Sequence, residues 1–118
     1  MITIDTTGLV KLMADHEPID LIDVRPPEEF NRAHIRAARS EPLNRFAPVK
    51  ILRERKAAPT RPFFIIGDRV RAGLAAGMLR GAGCSLPVVV EGGMDNWQTL
   101  GLPAVRRRWP IFSGRQCT

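Results

Sequence analysis

The chain has 118 residues, 44% of them hydrophobic and 25% charged. That mixture excludes disorder, a collagen repeat and a coiled coil, and bounds the chain at one globular domain. Two cysteines, Cys84 and Cys117, are too few for a disulfide scaffold or a four-ligand zinc site, so a hydrophobic core must supply the stability and a reducing cytoplasm is the expected location. The formal net charge of +6 is unevenly placed: residues 1–30 hold seven acidic against two basic residues, and residues 31–118 hold five acidic against sixteen basic. Such an excess, with Arg106-Arg107-Arg108 in a row, attracts phosphate, nucleic acid or an anionic surface, while a solvated basic face is the simpler account. The opening MITIDTTG has no basic leader with an apolar run behind it, and no apolar stretch approaches the roughly 20 residues of a membrane helix, so no membrane span is expected.

Short apolar runs rich in branched residues alternate with helical patterns, which predicts an α/β domain with a parallel sheet. Ile2–Ile4 is a candidate edge strand, and Thr6 or Thr7 is placed to cap a helix with Leu9, Val10, Leu12 and Met13 as its apolar stripe, closed by Pro18. Ile19–Val24 reads as a strand. Pro26-Pro27-Glu28-Glu29 has the proline and acids that suit a helix N-terminus, predicting a short helix to about Ala33 with Phe30 toward the core. A second helix is predicted from Asn44 to about Arg55, with Phe46, Val49 and Leu52 at helical spacing and Pro48 in its first turn. Phe63-Phe64-Ile65-Ile66 is the continuous apolar run of a strand buried on both faces and is the expected central strand. The next helix carries Val70, Leu74, Met78 and Ala82 on one stripe and ends at Gly83. Gly73, Gly77 and Gly81 are expected to let it lie close to the sheet or to another helix. Val88–Val90 is the next strand, and Met94, Trp97 and Leu100 form a last helix stopped by Gly101.

In an open parallel sheet the functional crevice lies at the carboxyl ends of the strands. Two such ends carry charge: Asp23-Val24-Arg25, and the turn Gly67-Asp68-Arg69-Val70-Arg71 after Ile66. The second has the elements of an anion cradle, since backbone N–H groups at a helix N-terminus would converge there with Arg69 and Arg71. Asp68 competes, because as an N-cap it takes one of those N–H groups and brings a negative charge. Asp23 and Arg25 are expected to form a structural ion pair that supports the loop. His34 is expected to fix a turn by a hydrogen bond, and with His16 as the second histidine no metal site or cofactor is expected.

The stretch Leu21-Ile22-Asp23-Val24-Arg25, then Glu28-Glu29-Phe30, then His34-Ile35, resembles the rhodanese-like domain family. Glu91-Gly92-Gly93-Met94 with Trp97, followed by Gly101-Leu102-Pro103, is similar to that family's closing signature. The resemblance covers about Ile2 to Val105. It implies a single domain, taken as residues 1–105, with a mainly parallel sheet of about five strands and helices on both faces; the residues beyond it, 106–118, read as a basic tail. Active members of the family open a Cys-x-x-Gly-x-Arg loop with a cysteine whose thiolate accepts a sulfane sulfur from a donor such as thiosulfate and passes the persulfide sulfur to an acceptor. That chemistry needs a nucleophilic thiolate held at a positive helix end.

The sequence departs from the family there. Counting back without gaps from Gly92-Gly93 puts the cysteine position on Ile66 and the loop arginine on Arg71; a register two residues earlier matches Gly67 and Arg69 but puts Phe64 at the nucleophile. Arg36 and Ala37 replace the proline and glycine that the family usually has after His-Ile. Cys84 lies eighteen residues beyond Ile66, on the order of 20 Å along a helix, so it is expected to be buried filler. The expectation is a domain without sulfurtransferase activity that binds a small anion (sulfate, thiosulfate or phosphate) or an unidentified protein. Two alternatives stand beside it: sulfur transfer through Cys117 or a partner thiol, and nucleic-acid or anionic-surface binding through the basic face with Arg106–Arg108 and Trp109.

Overall fold

The computed structural model describes residues 1–106. Arg107, Arg108, Trp109 and Cys117, and the readings that fall on them, lie outside the described residues. In chain order the elements are β1 (Ile2–Ile4), α1 (Thr6–Ala14), β2 (Asp20–Asp23), α2 (Pro27–Arg32), β3 (Ala33–His34), β4 (Arg39–Ser40), a 3-10 turn (Leu43–Arg45), α3 (Pro48–Arg53), β5 (Phe63–Ile66), α4 (Arg69–Gly81), β6 (Pro87–Val90), α5 (Gly93–Thr99) and β7 (Val105–Arg106). Five strands form one parallel sheet in the order β1-β6-β5-β2-β4, and β3 pairs antiparallel with β7. The expected central strand is therefore central, flanked by β2 and β6.

Successive side chains of a strand point to opposite faces, and β5 divides the interior on that basis. Phe63 and Ile65 join Ile22, Ile51, Ala72, Ala75, Leu79 and Val89 on one face. Phe64 and Ile66 join Leu9, Leu21, Val90, Met94 and Trp97 on the other. The first face is covered by α3 and α4, the second by α1 and α5. Trp97 and Met94 are core residues, as their spacing predicts, and the Trp97 indole donates from Nε1 to the Pro103 carbonyl at 2.9 Å, tying the chain after α5 to its own helix.

β2 carries a buried aspartate at each end. At its start, Asp20 accepts from Arg55 Nε at 3.1 Å, Lys56 N at 2.8 Å and Ala57 N at 3.1 Å, which anchors the loop after α3; the Arg55 guanidinium also lies 5.4 Å over the Phe63 ring. Buried carboxylates persist only with such partners. Among the described residues no helix is long and apolar enough to cross a membrane.

Several sequence expectations are corrected. The cap of α1 is Asp5, whose Oδ1 accepts from Gly8 N at 2.7 Å, rather than Thr6 or Thr7; Thr6 is buried and its Oγ1 accepts from Asn96 Nδ2 at 2.7 Å. The helix expected over 44–55 is broken into a 3-10 turn and α3, because a residue before proline avoids the helical region and Ala47, before Pro48, sits at φ −122°, ψ 83°. Pro48 opens the first turn of α3 as expected, but its buried residue is Ile51 and Val49 is exposed. Phe30 is half-buried outside the core, stacked on the His34 ring at 3.8 Å and 8°. The His34 Nδ1 donates to the Phe30 carbonyl at 2.8 Å, which fixes the turn out of α2.

The largest correction concerns α4. Its buried face is Ala72, Ala75, Ala76 and Leu79, and the stripe Val70, Leu74 and Met78 looks outward. Three of the four buried residues are alanines, so the helix packs on the sheet largely through small side chains, with Leu79 as the single large one. Gly77 and Gly81 do not serve a close approach among the described residues either, since none of these lies within 4 Å of where their Cβ atoms would be. Ala82 and Gly83, the latter at φ 106°, end the helix as predicted.

Candidate functional site at the carboxyl ends of the sheet

Three strand-to-helix turns meet at the carboxyl ends of β2, β5 and β6. The β6–α5 turn lies directly on the β5–α4 turn: a Cβ on Gly93, at φ 52°, would stand 2.7 Å from the Gly67 carbonyl oxygen. Gly67 is pressed in turn against β2, with its Cβ position 2.7 Å from Val24 Cγ2. Only glycine fits at both places, since each contact leaves no space for a methyl group and Gly93 also needs the left-handed backbone. These contacts set the spacing of the three turns.

Between them opens a cavity of about 300 Å³. Arg25 and Glu29 come to it from the start of α2, Gly67, Asp68 and Arg69 from the start of α4, and Glu91 and Asp95 from the start of α5; Val90 and Met94 supply its apolar lining. Arg25 is held by the buried Asp23: its Nε and Nη2 reach the two carboxylate oxygens at 2.9 and 2.8 Å, and Nη2 also donates to the Ala33 carbonyl at 2.8 Å. The pair expected from the sequence is formed, and it links the end of β2 to β3.

The residues of the predicted anion turn are not all brought together. Asp68 is the N-cap of α4, its Oδ1 accepting from Arg71 N at 2.9 Å, and its Oδ2 lies 3.3 Å from Arg71 Nε. Arg71 is thus turned to Asp68, Val70 points outward, and the turn presents Gly67, Asp68 and Arg69 to the cavity. Four carboxylates, those of Glu29, Asp68, Glu91 and Asp95, share the lining with Arg69 and the committed Arg25. Glu91, read from the sequence only as part of the family's closing signature, and Asp95 line the cavity without having been expected at the site. Their position after Val88–Val90, at the carboxyl end of a predicted strand, was the available signal. Glu29 was read for its effect on the α2 dipole alone.

Ile66 ends β5 with no exposure and packs in the Met94–Trp97 core, and Phe64 is buried in the same cluster. The described cysteine, Cys84, is buried past the opposite end of α4, with its N–H bonded to the Leu79 carbonyl at 3.0 Å. Among the described residues no group of three or more His, Cys, Asp or Glu side chains is arranged to hold a metal ion.

A parallel sheet covered on both faces, with its crevice built from three strand-to-helix turns, defines a small α/β domain of the class that binds ligands at strand ends. Residues 6–100 match the rhodanese-like domain model, and the chain belongs to the rhodanese-like domain family. It is 33% identical over 105 residues to the uncharacterised protein slr1261 of Synechocystis, covering 88% of this chain and 57% of that protein. It is 34% identical over 85 residues to the uncharacterised YqhL of Bacillus subtilis, covering 71% and 64%. The chain therefore spans less than two thirds of the length of these relatives. Among solved structures, a Pseudomonas aeruginosa thiosulfate sulfurtransferase superposes with a TM-score of 0.78 at 23% identity, over 91% of this chain and 20% of that one. The Anabaena Alr3790 protein gives 0.76 at 22%, over 90% and 94%. The polysulfide-sulfur transferase homodimer of Wolinella succinogenes gives 0.67 at 26%, over 95% and 82%.

Proposed function

We propose that this rhodanese-like domain is a binding or regulatory module without sulfurtransferase activity of its own. The observation that carries the reading is the end of β5. Where the family is expected to place its nucleophile, this chain has Ile66, or Phe64 in the other register, both hydrocarbons and both buried. Neither offers a lone pair to attack a sulfane sulfur. Cys84 supports the reading, since it is buried beyond the opposite end of α4, away from the crevice.

The crevice then serves to bind. Arg69 and the N–H groups at the start of α4 suit a small oxyanion such as sulfate, thiosulfate or phosphate, and the Asp23–Arg25 pair supports the facing loop. Asp68 weakens it: its charge opposes a dianion such as sulfate by about 2 kcal/mol at a separation near 4 Å in water, so affinity is weak, and Asp68→Asn, which still caps the helix, strengthens sulfate binding about thirtyfold.

The test is thiosulfate:cyanide sulfur transfer by the full chain beside Ile66→Cys and Cys117→Ser. No turnover is expected from the unmodified protein, and turnover gained only with Ile66→Cys would support the ungapped register. Turnover in the unmodified protein that survives Cys117→Ser would overturn the reading. A sulfate titration followed by amide shifts at Gly67–Arg69 tests the anion site separately, and an absence of shifts there would remove it.

A further inference from the structure

Helix α4 has two apolar faces. One packs on the sheet through Ala72, Ala75, Ala76 and Leu79. On the other, Val70, Leu74 and Met78 are 70%, 56% and 41% exposed. At about 100° per residue these three share the outward face with Gly77 and Gly81, and no charged residue falls among them. Arg71 borders this face on one flank, and Arg69 and Arg80 border it on the other. Among the described residues nothing lies within 4 Å of the Cβ positions of Gly77 and Gly81, which leaves the helix backbone there open to close approach. Toward the start of the helix the surface continues onto Met1, exposed itself, whose sulfur lies 3.4 Å from the Cβ position of Gly73. Contiguous apolar surface rimmed by charge marks an interaction site.

The rim decides what covers it. A second copy packed antiparallel over Leu74 would bring Arg80 against the Arg69 of its mate on the same flank. A parallel copy would bring Arg71 against Arg69. Like charges face each other in either arrangement, which disfavours self-association. A lipid surface asks for long or aromatic side chains that reach into the headgroups, whereas this face has two glycines, no aromatic ring, and a hollow at Gly77 and Gly81 beside Met78. A hollow flanked by ridges receives the side-chain ridge of another helix.

We propose that the outer face of α4 docks an acidic amphipathic helix of a protein partner, its apolar stripe lying over Val70, Leu74 and Met78 and its carboxylates meeting Arg71 and Arg80. This is helix-on-helix recognition with anchors at helical spacing, on a surface that meets the crevice at Met1 and Arg69 and runs away from it along Leu74 and Met78. The inference is independent of the sulfur-transfer question. Because Arg69 belongs to the proposed anion turn and Arg71 is paired with Asp68, the variants that test it are Leu74→Ser with Met78→Ser, and Arg80→Glu.

The full chain is titrated into two labelled helical peptides of about 18 residues, identical in their leucine stripe and carrying glutamates or lysines along both flanks. The glutamate peptide is expected to bind about tenfold tighter than the lysine peptide and to shift amides over Val70–Gly81. The Leu74→Ser/Met78→Ser protein is expected to lose about tenfold in affinity, and Arg80→Glu several-fold, with urea midpoints unchanged because all three side chains are exposed. If the double variant unfolds early, Arg80→Glu carries the test alone. Equal binding of the two peptides, or binding indifferent to Arg80→Glu, would overturn the proposal. So would a concentration-dependent dimer abolished by Leu74→Ser, or preferential binding to vesicles of phosphatidylglycerol and phosphatidylcholine.

Discussion

Asp23→Ala is the sharpest probe of the crevice scaffold. Asp23 has no exposure and its carboxylate accepts from Arg25 Nε at 2.9 and 3.1 Å, from Nη2 at 2.8 Å, and from the Arg25 backbone N–H at 3.1 Å. The Arg25 side chain is itself only 13% exposed. Removing the carboxylate leaves a guanidinium with the Ala33 carbonyl as its remaining protein partner, and an unpaired N–H beside it. Breaking one half of a buried pair costs about 3–5 kcal/mol. For a chain of this length, at about 4 °C per kcal/mol, that is a fall of roughly 12–20 °C in Tm. Urea unfolding followed by circular dichroism gives the free energy, with a constant m-value as the check on two-state behaviour. Asp23→Ala/Arg25→Ala should recover about 1–3 kcal/mol of coupling. A cost below about 1 kcal/mol for Asp23→Ala, or simple additivity of the two changes, would refute the view that a desolvated charge pair holds the β2–α2 turn to β3.

Three further outcomes test other parts of the structure. Gly93→Ala should destabilise by about 2 kcal/mol or more, combining a left-handed backbone with a methyl group driven against the Gly67 carbonyl. It should also move the amide resonances of Gly67–Arg69; an unchanged urea midpoint would contradict the packing of the two turns. Gly77→Ala, on an open helix surface, should stabilise by up to about 1 kcal/mol, and a loss of stability in thermal unfolding would mean that the helix needs the glycine. In a Cys117→Ser background, Cys84 should be silent to Ellman's reagent in the native state and titrate fully in denaturant; rapid native reaction would show that it is not a core residue.

The parts of the fold that were legible in the sequence are those governed by local pattern. Phe63–Ile66 announces a doubly buried strand through an uninterrupted apolar run, Asp68 announces a cap, and Gly83 and Gly101 announce helix ends. What was not legible depends on partners far away. Thr6 has the chemistry of a cap, yet its hydroxyl is taken by Asn96, ninety residues on, and Asp5 caps instead. Hydrophobicity ranks Val, Leu and Met above Ala and so points the wrong face of α4 inward, whereas the face that packs on the sheet holds three alanines and Leu79. β3, β4 and β7 are two residues each, too short to show any period. In the candidate site, Gly67, Asp68 and Arg69 were placed by the rule for strand ends. The withdrawal of Arg71 to Asp68, and the arrival of Glu91 and Asp95, required knowing how three turns pack on one another.

The alternation along β5 has a consequence for how such a crevice can change. With Phe63 and Ile65 committed to one interior and Phe64 and Ile66 to the other, a slip of one residue would exchange the two sets and leave neither layer filled. The pairing with β2 and β6 locks the strand from both sides. The height at which Ile66 gives way to Gly67 is therefore indexed by the interior, much as a ratchet tooth fixes a wheel. New chemistry at this apex must come by replacing a side chain in place, because the backbone has no neighbouring position to which it can move.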